Sequence, residues 1–116
     1  MEKVAQKTTP DFMDYWRLGF YNYRIGNLEK SKKYYEKALL LHPEDKKIKE
    51  NLALTYMSIG QSHLDTDLEA AKQFCEKALE VYPGDRDAIK LLEKIQDIIK
   101  SNEKIRNLKE SLTLEE

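Results

Sequence analysis

A single cysteine, Cys75, excludes an internal disulfide and a cysteine-only zinc site. Proline and glycine are scarce as well, at three and four of 116 residues, while Lys, Glu and Leu abound; that balance points to an all-α chain. No apolar run reaches the roughly 18 residues of a membrane span, and the opening MEKVAQKTTP has no apolar stretch of signal-peptide length, so the expected location is cytoplasmic. An excess of charge of one sign is also missing. Twenty basic residues against 21 acidic ones leave a net charge of −1, which argues against a mainly electrostatic binder of nucleic acid or membrane surfaces. There is no glycine-rich phosphate loop and no G-x-S-x-G elbow, so neither catalysis nor a cofactor is expected. What the chain does have, 41% hydrophobic and 35% charged residues, fits one domain with a modest core.

The most informative stretch is Tyr15 to Pro43, which reads as helix, turn, helix. Gly19 and Ala38 are small where two crossing helices must approach closely. Gly26 stands where the first helix stops and the chain reverses, a place that favours positive φ, and Asn27 can cap the helix that follows. Pro43 ends that second helix and disfavours helical geometry at His42. The first helix is expected to start at Thr9-Pro10, with Thr as cap and Pro at the first helical position, and to run to about Ile25. The second runs from about Leu28 to Leu41, with Leu28, Tyr34, Tyr35, Ala38, Leu39 and Leu41 in a broad stripe opposite Lys30, Lys33 and Lys37. Residues 1–9 lack periodicity and are expected to form a disordered tail.

Tyr15, Leu18-Gly19, Gly26, Tyr35, Ala38 and Pro43 stand at the spacings of a repeat of about 34 residues, and the segment resembles the tetratricopeptide repeat family. Asn22 and Ser31 depart from it, at places where that family usually has a large aromatic and an alanine. A second, looser copy follows. Leu52-Ala53 stands where Leu18-Gly19 stood, Tyr56 takes the place of Asn22, Gly60 matches Gly26, and Ala71, Cys75, Ala78 and Pro83 complete the pattern. Pro43 and Pro83 are 40 residues apart, however, and the surplus of six falls in QSHLDT, between Gly60 and Asp67. Either the third helix continues nearly two extra turns, through Ser62, His63 and Leu64, or the loop bulges; the longer helix is the expectation, with Thr66 or Asp67 capping the fourth.

After Pro83-Gly84 no turn signal remains, so one long helix is expected, with Ala88, Leu91, Leu92, Ile95, Ile98 and Ile99 capping the stack. The expected architecture is thus an antiparallel helix-pair stack of five helices, with breaks near Gly26, Pro43, Asp65 and Pro83. Residues 10–100 form the domain, with repeats at about 12–45 and 46–84 and a capping helix from 85, and 101–116 extend that helix to a frayed end. Leu91, Ile95, Ile98, Asn102, Ile105 and Leu112 follow steps of about 3.5 residues, a seam by which two copies could pair, though Lys109 interrupts it. A homodimer through this helix is the alternative reading of the chain, and a solvated helix end is the plain one.

The resemblance implies a protein–protein interaction module whose first helices line a concave face. It assigns Tyr15, Leu18 and Gly19 to the core. It assigns Met13, Trp16, Phe20, Tyr23 and Arg24 to the groove, with Lys47, Glu50, Asn51, Leu54 and Met57 from the second repeat and Arg86, Ile89 and Lys90 from the cap. Aromatics among basic residues suit a partner peptide or helix with apolar anchors and some acidic character; the opposing reading is that the last helix covers Trp16 and Phe20. Members that grip a chaperone's terminal carboxylate use a set of Lys and Asn. Here Asn51, Arg86 and Lys90 match that set, but Trp16 and Phe20 replace its first-repeat members, which argues against such a clamp.

Other candidates are weak. His63, Asp65 and Asp67 alternate in the surplus segment, too few ligand types for a metal site to be expected. Asp65, Asp67 and Glu76 have calcium-loop spacing, but Ala70 stands where that loop needs glycine. His42 reads as a solvated loop histidine and Cys75 as a small core residue.

Overall fold

The computed structural model describes residues 11–115, and the tail expected over residues 1–9 lies outside them. Among the described residues five helices follow one another: α1 (Phe12–Arg24), α2 (Leu28–Leu41), α3 (Lys46–Ser62), α4 (Leu68–Val81) and α5 (Arg86–Glu115). Among the described residues there is no strand. Each helix packs chiefly on its neighbours in sequence, which makes the layered antiparallel stack expected from the repeats.

Each of these five helices starts at an acidic or amide side chain that accepts from an otherwise orphaned backbone N–H. Asn27 accepts from Lys30 N, Asp45 from Ile48 N and Asp67 from Ala70 N. Asp85 accepts from both Asp87 N and Ala88 N. The first helix corrects the expectation at Thr9: its cap is Asp11, whose carboxylate accepts from Asp14 N while Asp14 accepts from Asp11 N, a reciprocal capping box.

The turns between repeats are copies of each other. His42-Pro43-Glu44-Asp45 and Tyr82-Pro83-Gly84-Asp85 both close by a bond from the Asp N–H to the carbonyl three residues back, at 3.1 Å. Proline then stops one helix and the aspartate starts the next.

The turns within repeats differ. In the first, Gly26 takes φ +85°, Asn27 N–H donates to Asn22 O and Gly26 N–H to Tyr23 O, a Schellman ending. In the second, Gly60 is not a turn residue; it lies inside α3, where an added Cβ would stand 3.1 Å from Ala71 O. The helix runs out through short bonds, His63 N–H to Gly60 O and Leu64 N–H to Gln61 O. The surplus of six is therefore divided. α3 is four residues longer than α1 (17 against 13), just over one turn, and the connection is two longer (five residues, 63–67, against three, 25–27). His63 and Leu64, expected in the helix, belong to the turn.

The core gathers Tyr35, Leu52, Ala53, Tyr56, Met57, Ala71, Cys75, Ala78, Ala88, Leu91 and Ile95 between the helices. Leu52 is 1% exposed, whereas Leu18, the same position of the first repeat and expected in the core, is 41% exposed. Leu52 has α2 packed against its helix; among the described residues no helix precedes α1 to cover Leu18. Leu41 is likewise exposed, at the end of the α2 stripe. Tyr15 is half-buried, stacked on Tyr34 with the Lys37 ammonium 5.5 Å from its ring centre.

Candidate functional site

The first helices of the units, α1, α3 and α5, position the residues assigned to the groove. Along α1, Trp16, Phe20 and Arg24 follow one another at four-residue intervals and so stand on one face. The Trp16 and Phe20 rings stack at 5.6 Å and 11°, and the Arg24 guanidinium lies 5.7 Å from the Phe20 ring centre. The ridge is thus held by its own side chains, with a cation over the last ring.

Accessibility along the ridge is uneven. Phe20 is exposed, so α5 does not cover it, while Trp16 is half-buried and packs on the core. Its indole N–H is buried without an acceptor. Beside it, Phe12, Met13, Trp16, Asp45, Lys47 and Ile48 line a cavity of about 190 Å³. Tyr23 is also half-buried, its hydroxyl 2.9 Å from Ser58 Oγ, which ties α1 to α3.

From α3, Lys47 and Leu54 are exposed and Asn51 is half-buried. Met57, assigned to the groove, lies in the core; the neighbouring helices close over it. Glu50 accepts a bond from the Tyr82 hydroxyl at 3.3 Å and so serves the packing of α3 on the end of α4. From α5, Arg86, Ile89 and Lys90 are exposed. Each first helix therefore offers at least one exposed apolar side chain, Met13 and Phe20, then Leu54, then Ile89, with Arg24, Lys47, Arg86 and Lys90 beside them.

The remaining candidates have other surroundings. His63 stacks on Phe74 at 6.0 Å and 9°, and among the described residues no group of three His, Cys, Asp or Glu stands close enough to hold a metal ion. Cys75 is fully buried, and burial first and Glu76 second push its thiol up to about 11, which disfavours the reactive thiolate. Among the described residues no helix is long and apolar enough to cross a membrane.

A larger apolar cavity, about 440 Å³, lies on the other side, between α2, α3 and the end of α4, lined by Leu39, Leu40, Leu52, Tyr56 and Val81 with Glu36 at its rim. The Tyr56 hydroxyl donates to Glu36 there at 2.5 Å. The sequence reading missed it, and Leu40, exposed next to a buried stripe, was the available signal.

No curated protein matches the chain. Residues 13–45 and again 47–85 match the tetratricopeptide repeat, the second match longer by the surplus located between α3 and α4. With the paired helices, the small residue at each crossing and the repeated Pro…Asp turns, these matches make the chain a member of the tetratricopeptide repeat family.

Proposed function

We propose that this protein is a non-catalytic interaction module that binds a peptide or helix of a partner protein on the face formed by α1, α3 and α5. Tetratricopeptide repeats generally mediate protein–protein interaction, and what supports this particular face is one observation. Phe20 and Leu54, at the same repeat position, and Ile89, in the first turn of α5, are large apolar side chains left exposed, one from each first helix, and the same helices carry Arg24, Lys47, Arg86 and Lys90 exposed. Surface of that kind is usable for binding because the fold does not consume it. Phe20 and Leu54 serve as anchors, and the cations select a partner with acidic character. Trp16 and Tyr23 act behind them, holding the ridge and the α1–α3 contact. The buried indole N–H of Trp16 is available to an acceptor only if the packing around it opens.

The test is site-specific photo-cross-linking in extracts of the source organism. A benzophenone side chain at position 20 or 54 is expected to capture a discrete partner, and the same group at Leu40, on the other side of the stack, is not. Equal capture from all three positions contradicts the reading.

A further inference from the structure

The far part of α5 carries an apolar stripe that the fold leaves bare. Every residue from Ser101 to Thr113 is exposed, and Ile105, Leu108 and Leu112 are 51, 65 and 61% exposed. At about 100° per residue these three and Ile98 fall within about 80° of arc. The stack-facing Ala88, Ile95 and Ile99 are centred roughly 120° away. The stripe is therefore a second face of the helix and not the capping face continued past the stack. Beyond Ile98 its two flanks carry Lys104, followed by Ser111, on one side and Lys109, with Asn102, on the other; Asp97 stands a heptad before Lys104, beside Ile98, and the acids of 101–113, Glu103 and Glu110, point to the opposite side. Among the described residues none of these charges forms an ion pair.

We propose that this stripe docks an amphipathic helix of a different protein whose flanking positions are acidic. Pairing helices bring flank against flank, and the charges there select the partner. Two copies of this chain paired in parallel would set Lys104 of one against Lys109 of the other, twice per dimer. Paired antiparallel with Ile105 against Leu108, they would set lysines against Asn102 and Ser111, without attraction; one heptad nearer the stack, Lys104 would meet Asp97 but Ile105 would face Lys94. An acidic partner gains an opposite charge at each lysine. An anionic membrane surface fits less well, because it calls for a uniformly basic polar face, and Glu103 and Glu110 stand on this one.

The probe is a labelled three-heptad peptide with Leu along its seam and Glu at every flanking position, titrated with the full chain at low salt by fluorescence anisotropy. A twin peptide with Lys at the flanks is the control. The Glu peptide binds, and the Lys peptide binds about tenfold more weakly or not at all. The variant Lys104→Glu/Lys109→Glu inverts that preference, and Leu108→Ser removes binding without moving the melting midpoint, since no residue from Ser101 to Thr113 is in the core. Four results overturn the proposal: equal binding of both peptides, binding of neither, dimerisation of the chain alone in sedimentation equilibrium, or attachment to phosphatidylserine vesicles at the concentrations where the Glu peptide fails to bind.

Discussion

The ring of Tyr35 lies against the backbone of Gly19, so closely that a β-carbon on Gly19 would stand 2.7 Å from Cδ1 of that ring. Ser31 Oγ donates to the Gly19 carbonyl at 2.8 Å from the same helix. One residue thus sets how near α1 and α2 come, and the departure from alanine at Ser31 has a use: a buried hydroxyl bonded across the crossing.

Three glycines should therefore respond differently to alanine. Gly19→Ala gains about 1 kcal/mol of helix propensity but overpacks a rigid ring, at about 1–3 kcal/mol, so a net loss of about 1 kcal/mol is expected. Gly26→Ala meets no neighbour but forces φ +85° on an L-residue, a loss of about 1–2 kcal/mol. Gly84→Ala, with open space and no positive φ, should be neutral or stabilise by up to about 1 kcal/mol. Urea melts of the three variants check the order; a Gly19→Ala protein as stable as the parent would refute the close crossing.

Stability should fall in alkali for a definite reason. The Cys75 thiol is raised by burial, then by Glu76, from 9.0 to about 11, and Tyr35 by burial, then by Tyr23, from 10.0 to about 12. Tyr56 moves the same way through burial and its bond to Glu36. Because the folded values lie above the unfolded ones, these contributions are whole below about pH 9 and drain away as pH rises through the folded values. Urea midpoints should be level near neutrality and decline above about pH 9, and Cys75→Ala should move the onset towards about pH 10. A midpoint that stays level to pH 11 contradicts the burial of these groups.

The outer part of α5 should behave as a helix without support. α5 spans about 45 Å, roughly twice the length of the helices it caps, and its residues 101–113 are exposed throughout. A chain ending at Lys100 should keep its melting midpoint within a few degrees while losing helical ellipticity, since a solvated segment this short is marginal alone. Amide exchange beyond about Lys104 should be much faster than in α3. Protection there equal to that of α3 would mean that something covers the segment.

Much of this fold was legible in single residues. Gly26, Asn27, Pro43 and Pro83 act locally, through φ, capping and the missing N–H, and each acts as its chemistry predicts. Gly60 has the same chemistry in the same place of the pattern, yet it continues a helix, because its use is settled by the approach of Ala71 from α4 and not by its own φ. Leu18 and Leu52 are identical residues at one repeat position, and only the neighbouring layer decides which is buried. The same holds for the groove. Among the residues the repeat assigns to it, Met57 lies in the core and Trp16 is half-buried against that core because of packing between helices, which no local pattern encodes. The caps Asp45 and Asp85 follow an equally local rule: both stand two residues after a proline and begin the next helix.

Whether α1, α3 and α5 form a binding face comes down to one ratio of affinities. Peptides are selected on the full chain by phage display, and the affinity of the best for the parent is compared with that for Phe20→Ala/Leu54→Ala, both checked for equal melting midpoints. Truncating two anchors of this kind should cost about 2–4 kcal/mol. The dissociation constant is expected to rise by about 30-fold or more, in peptides that carry apolar and acidic residues. An affinity unchanged by the double substitution, in a protein of unchanged stability, would contradict the assignment of this face.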